Sequence, residues 1–104
     1  MTGKFVTVAK TSDIAEGAFK SVQVNGKRLL ICRVEGKFYA IDDTCTHDDG
    51  PLADGLLDGH EIECPRHGAR FDVRSGKVLC LPAALPINSY PVVIEGDNVT
   101  VRLE

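Results

Sequence analysis

Apolar and polar residues alternate with a period of two through much of this chain, in short stretches bounded by turn dipeptides. Phe5-Val6-Thr7-Val8 reads as a first strand. In the T-S-D-I-A-E-G segment that follows, Ser12 or Asp13 is suited to cap one helical turn and Gly17 to end it. Residues 19 to 24, F-K-S-V-Q-V, return to strand alternation and run into Asn25-Gly26, the pair favoured in a type I′ turn because both central residues need positive φ. Residues 27 to 34, K-R-L-L-I-C-R-V, are the return strand. Glu35-Gly36 is a second turn and K-F-Y-A-I-D, ending at Asp42, a third strand, so residues 19 to 41 are predicted to form an antiparallel meander. Near the C-terminus V-V-I-E, Gly96-Asp97-Asn98 and V-T-V-R-L predict a further hairpin. Its last strand sets Val99, Val101 and Leu103 on one face and Thr100, Arg102 and Glu104 on the other.

No helical period persists. Leu52 to Leu57 has room for one turn, but Gly50, Gly55 and Gly59 interrupt it. The pattern therefore predicts an all-β domain, an antiparallel sandwich or barrel. Residues 43 to 80 read as a loop-rich insertion in that frame, with short strands near 61 to 64 and 69 to 73. Pro82, Pro86 and Pro91 stiffen the return segment and exclude a central strand there. Phe5, Phe19, Leu30 and Val34 are core candidates, and of Phe38 and Tyr39 one is expected in the core and the other partly exposed.

A chain of 104 residues that is 43% apolar is expected to fold as one domain, residues 1–104. It holds no apolar run long enough to cross a bilayer and nothing resembling a signal peptide, so the expected compartment is the cytoplasm, with no membrane partner. A net charge of −3 argues against a nucleic-acid partner, which needs a concentrated basic face. Arg66, Arg70, Arg74 and Lys77 form a loose basic series offset by Asp42, Asp43, Asp48, Asp49, Asp54 and Asp58, readable as solvated surface or as a docking rim. Four cysteines raise the question of disulfides. Cys32 and Cys80 sit in apolar runs, where a free thiol behaves as a small hydrophobe, and a reducing compartment disfavours a bridge between them.

The other two cysteines have histidine neighbours. Cys45-Thr46-His47 is one pair, C-x-H, and Cys64-Pro65-Arg66-His67 another, C-x2-H. Two thiolates and two imidazoles fit either zinc or a mixed-ligand [2Fe-2S] cluster. The usual zinc pattern opens on two cysteines and closes on two histidines, whereas here each half supplies one of each. In a mixed-ligand cluster Cys45 and Cys64 would hold one iron and His47 and His67 the other.

The flanks carry the pattern further. Cys45-Thr46-His47, Cys64-Pro65-Arg66-His67-Gly68, Phe71-Asp72 and Gly76 together resemble the two cluster-binding loops of the Rieske iron–sulfur family. The resemblance implies a β base with an inserted cluster-binding subdomain at about 43–80, one [2Fe-2S] cluster, and a proline loop at Leu81-Pro82-Ala83 that shields it. It also implies close backbone approach at Gly50 and Gly68 and a second loop stiffened by Pro65. High-potential members of the family carry an extra cysteine in each loop, and a serine and a tyrosine that donate hydroxyls to sulfur. The matching positions here are Gly50 and Arg66, then Ala69 and Phe71, which places the chain with the low-potential members serving oxygenases. A catalytic oxygenase subunit also needs a second, mononuclear iron held by two histidines and a carboxylate. Only His60 is spare.

The resemblance thus implies a non-catalytic, monomeric ferredoxin of the biphenyl, naphthalene or carbazole dioxygenase type. It would carry electrons from an NAD(P)H-dependent flavoprotein ferredoxin reductase to a terminal Rieske oxygenase acting in aromatic hydrocarbon catabolism. Two alternatives stand beside it: the small Rieske-type subunit of an assimilatory nitrite reductase, and a zinc-stabilised, non-redox binding module. His60 is expected to be a surface turn residue, and Tyr90 to sit under the cluster loops.

Overall fold

A computed structural model describes residues 4–44, 52–65, 68–80 and 85–103. The all-β expectation holds, and the strands form three antiparallel sheets. The predicted meander is β2 (Phe19–Val24), β3 (Lys27–Val34) and β4 (Lys37–Asp42). A two-residue strand, β9 (Ser89–Tyr90), extends it to the order β2-β3-β4-β9. The second sheet pairs β1 (Lys4–Lys10) with β11 (Asn98–Leu103), and β11 with β10 (Val92–Glu95). The third contains β5 (Leu56–Asp58), β6 (Glu61–Glu63), β7 (Arg70–Asp72) and β8 (Val78–Cys80) in sequential order, all falling between β4 and β9 in the chain.

Turn chemistry fixes the meander. Asn25 and Gly26 have φ of 50° and 80°, as a type I′ turn requires. Glu35 and Gly36 also have positive φ, at 53° and 76°. The unusual conformation at Glu35 has a visible support: the carboxylate of Glu16 accepts the backbone N–H groups of both Glu35 and Gly36. In the C-terminal hairpin Glu95 pairs with Asn98, so the turn is Gly96-Asp97 alone and Asn98 begins the strand. The early helical turn is a 3-10 turn at Thr11–Asp13, starting before Ser12; Asp13 accepts the N–H of Lys10 at 2.9 Å from inside the turn. Gly17, at φ 78°, lies beyond that turn and donates its N–H to the carbonyl of Arg33.

The meander sheet lies between two hydrophobic clusters. Leu29, Ile31 and Ala40 face Ala9, Val99, Val101 and Leu103 of the β1-β11-β10 sheet. Leu30, Cys32, Val34 and Ile41 face Ile62, Phe71 and Val73 of the third-sheet region, together with Cys64 and Ala69. This explains why the Leu29–Cys32 run is continuously apolar: β3 is buried on both faces and has no solvent side. Phe38 and Tyr39 are accordingly not split into one core and one surface residue, for each is partly buried against a different cluster. Phe5 does not enter the core; it is 52% exposed. Thr100, on the predicted polar face of β11, is buried, flanked by its cross-strand neighbours Thr7 and Val93. Tyr90 packs against the cluster shared with β11, and its hydroxyl donates to Asp42 Oδ1 at 2.6 Å. Desolvation and that bond push its phenol up to about 12.

Cys32 is a free thiol in the middle sheet, with no exposed surface. Burial, and then the charge of Asp43, push it up from 9.0 to about 12. The folded state therefore holds a proton that the unfolded chain releases, so this contribution to stability is complete below pH 9 and is lost as pH rises toward 12. At pH 9.5 we expect iodoacetamide to leave Cys32 unmodified in the folded protein and to alkylate it on denaturation. Labelling of the folded protein at the rate of a free peptide thiol would contradict the burial.

Candidate metal centre

Of the four candidate ligands, Cys64 lies within the described residues; Cys45, His47 and His67 lie outside them, as do Gly50, Arg66 and the Leu81-Pro82-Ala83 segment. Among the described residues no group of three or more His, Cys, Asp or Glu side chains is arranged to hold a metal ion. What the structure provides is the frame around Cys64 and the flanks of the other candidate segments.

Cys64 follows β6 directly, and Ala69 precedes β7, so the second ligand segment closes a hairpin of the third sheet. The closure is tight: Cys64 N–H donates to Ala69 O at 2.7 Å, and Gly68 N–H donates to Cys64 O at 3.2 Å. Gly68 has φ of 76°, and among the described residues a Cβ there would meet Glu63 Oε2, at 3.8 Å. Its glycine is thus required by the turn, and its N–H is engaged by the Cys64 carbonyl. Cys64 itself is buried against Ala69, Phe71, Leu52 and Ile62. Ala69 and Phe71 are fully buried and carry no hydroxyl.

The outer face of the third sheet is charged. Arg70 donates to Glu61 at 3.1 Å and Glu63 at 2.7 Å, with Asp58 at 3.6 Å. The hydrogen bond to Glu61, then the charge of Glu63, raise the guanidinium further above its ordinary value. Arg74 forms two side-chain bonds to Asp72, and these hold the Asp72 carboxyl below the usual range. Arg70 and Arg74 therefore neutralise local carboxylates and do not form a free basic patch. His60 is partly buried, with Nε2 3.8 Å from Glu35 Oε1 and its ring edge-on to Tyr39 at 5.8 Å. It joins the β5–β6 turn to the β3–β4 turn instead of standing free on the surface.

Three residues of the frame, Asp43, Gly55 and Gly76, have packing roles not assigned in the sequence analysis. Asp43, grouped there with the surface aspartates, is only 1% exposed. Its Oδ2 accepts the Ser21 hydroxyl at 2.8 Å and its Oδ1 the Ala53 N–H at 2.9 Å, while its own N–H donates to Arg28 O at 3.0 Å. The sequence does show that Asp42 and Asp43 are adjacent on a strand path and so point to opposite faces, but not that the face taken by Asp43 is covered. Gly55 is required by space, since a Cβ there would stand 1.9 Å from Glu63 O. Gly76 has φ of 80° and would place its Cβ 1.9 Å from Ile87 O, while Ile87 N–H donates to Gly76 O at 2.9 Å. That contact ties together the two flanks of the segment containing residues 81–84.

A buried thiol beside a hydrogen-bonded hairpin closure, with one cysteine and one histidine in each of two sequence motifs, fits a mixed-ligand iron–sulfur centre. The Rieske [2Fe-2S] domain family matches residues 4–91, and the chain belongs to that family. It carries one Rieske-type [2Fe-2S] cluster. The chain is 46% identical over 104 residues, all of both chains, to the ferredoxin component of the naphthalene 1,2-dioxygenase/salicylate 5-hydroxylase systems of a Ralstonia species. The ferredoxin of carbazole 1,9a-dioxygenase from Nocardioides aromaticivorans IC177 superposes with a TM-score of 0.93 at 34% identity, covering 97% of this chain and 99% of that one. A chain in a complex of reduced oxygenase and oxidized ferredoxin of carbazole 1,9a-dioxygenase superposes at 0.89 and 36% identity, covering 94% and 92%. Among the described residues no helix is long and apolar enough to cross a membrane.

Replacing Gly55 with alanine forces a methyl group into a backbone carbonyl, so no side-chain rotation relieves it. Overpacking of this kind costs about 1–3 kcal/mol. We expect Gly55→Ala to lower the unfolding free energy by that amount, read from chemical denaturation; a value equal to that of the unsubstituted protein would show that the turn can move away freely.

Proposed function

We propose that Cys45 and Cys64 bind one iron, and His47 and His67 the other, of the [2Fe-2S] cluster. Residues of about 43–80 then form the cluster-binding subdomain within one Rieske domain, 1–104. The chain is a soluble one-electron carrier, monomeric and cytoplasmic. It takes electrons from an NAD(P)H-dependent flavoprotein reductase and passes them to the terminal oxygenase of a multicomponent aromatic-ring dioxygenase. The observation that carries this reading is full-length similarity to the ferredoxin component of such a system, with both ligand pairs at the family's spacing.

When bound, the cluster supplies one-electron transfer. The protein's part is to mount the ligands rigidly, exclude water from the thiolate side and set the local field. The buried packing around Cys64 and the hairpin closure from Cys64 to Ala69 serve the first two. For the field, a hydroxyl donor beside sulfur stabilises the reduced, more negative state. Ala69 and Phe71 provide none. Glu61, Glu63 and Asp58 outnumber Arg70 on the sheet that leads into the second ligand segment. Both features disfavour added negative charge and so lower the potential.

We expect purified protein to be coloured, to give a reduced-state paramagnetic resonance signal with histidine-nitrogen couplings, and to show a midpoint potential of about −150 mV, the low end of the Rieske range. A colourless zinc protein, or a potential well above zero, would overturn the assignment. Reconstitution with a reductase, NADH and candidate oxygenases, scored by hydroxylated product, tests the carrier role directly. Encounters between redox partners are small and transient, so rim charges govern rate more than affinity. Arg66 lies beside His67 in sequence, and Arg66→Gln should slow electron transfer to the oxygenase at low salt and flatten the salt dependence. An unchanged rate and salt profile would remove Arg66 from the docking surface.

A further inference from the structure

Asp43 precedes the first ligand pair by two residues, and Ala53 follows it. The two are joined directly: Asp43 Oδ1 accepts the Ala53 N–H at 2.9 Å, so a single side chain closes the chain segment that contains Cys45 and His47. The other carboxylate oxygen is held by Ser21 on β2 at 2.8 Å, and the Asp43 backbone is held by Arg28 O on β3 at 3.0 Å. The closure is therefore anchored to the middle sheet at two further points.

The turn that Asp43 grips is itself docked on the second ligand segment. Leu52–Asp54 is a 3-10 turn, with Gly55 N–H donating to Leu52 O at 2.9 Å. Leu52 is fully buried in the cluster that contains Cys64, Ala69 and Phe71. Gly55 lies so close to the Glu63 carbonyl that no side chain fits between them, and Leu56 pairs with Glu63, the residue before Cys64. A continuous mechanical path runs from Ser21 and Arg28 through Asp43, Ala53 and Gly55 to Glu63 and Cys64.

We infer that Asp43 is a positioning residue that sets the first ligand segment in register with the second. The inference rests on the assignment of Cys45 and His47 as ligands. A carboxylate suits the task because each of its two oxygens takes a different donor, one from the sheet and one from the turn. Outer partners of metal-site residues commonly alter metal retention by about 10–100-fold when removed.

The test compares Asp43→Ala, Asp43→Asn and Ser21→Ala in holoprotein. The readouts are the rate of iron release to a chelator, the reduced-state paramagnetic resonance g values and the unfolding midpoint. Asp43→Ala should release iron about tenfold faster and shift or broaden the g values under conditions where the β-sheet circular dichroism is unchanged. Asp43→Asn keeps an acceptor for Ala53 and a partner for Ser21, and should restore both readouts to within about twofold of the unsubstituted protein. Ser21→Ala removes one strut and should fall between them. Unchanged release and g values in Asp43→Ala would overturn the inference. So would their failure to recover in Asp43→Asn. Should Asp43→Ala not fold, Ser21→Ala decides: faster release or altered g values support the inference, and unsubstituted behaviour overturns it. Failure of the ligand assignment shows differently, as unsubstituted protein whose spectrum lacks histidine-nitrogen couplings.

Discussion

The central strand β3 has no free face over Leu29–Cys32, and the rest of the molecule is arranged around that constraint. Leu29 and Ile31 point into one hydrophobic cluster, Leu30 and Cys32 into the other. A polar group buried beside this strand must find partners inside the protein. Asp42 and Asp43 arrive there together at the end of β4. Asp42 is satisfied on one face by the Tyr90 hydroxyl and Asn88 N–H, and Asp43 on the other by Ser21 and Ala53. Two adjacent carboxylates thereby fasten the β9 return strand and the Leu52–Asp54 turn to the same point.

From that point the third sheet is built as a narrow platform. Its inner side chains, Leu57, Ile62, Phe71 and Val78, belong to or pack against the cluster shared with the meander. Its outer face balances Arg70 and Arg74 against four carboxylates, those of Asp58, Glu61, Glu63 and Asp72. The platform is thus apolar within and carries excess negative charge outside, two conditions that act on a redox centre in different ways. Burial restricts solvent at the thiolate side, while the charge opposes gain of an electron.

Much of the fold was legible from the sequence because the base uses strong local signals. Asn25-Gly26, Glu35-Gly36 and the alternation of residues 19–24 located the meander strands to the residue. The ligand pairs were equally plain as motifs. The third sheet was harder: all four of its strands have three residues, and β6 and β7 were expected whereas β5 and β8 were not. Phe5 was misjudged because β1 is an edge strand, with one neighbour only, and its outward face is not covered. Asp43 was missed because a charged residue in a run of aspartates reads as surface unless the burial of both sheet faces is already known. Gly55 and Gly76 were visible only as a turn interruption and a motif residue, because the carbonyls that exclude a side chain there belong to other elements of the fold.

Those two glycines differ in kind from the ones in the hairpin turns. At Gly26 and Gly36 the space beside the backbone is open, and the only demand is a left-handed conformation, which asparagine can also meet. At Gly55 and Gly76 the obstacle is a peptide carbonyl, and no compensating side-chain change elsewhere can shrink a backbone. The protein's sequence is therefore free to drift at its most conspicuous turns and fixed at two unremarkable positions. Lineages descending from this chain can remodel the hairpins singly, but can change Gly55 or Gly76 only by moving a whole strand or return segment at the same time.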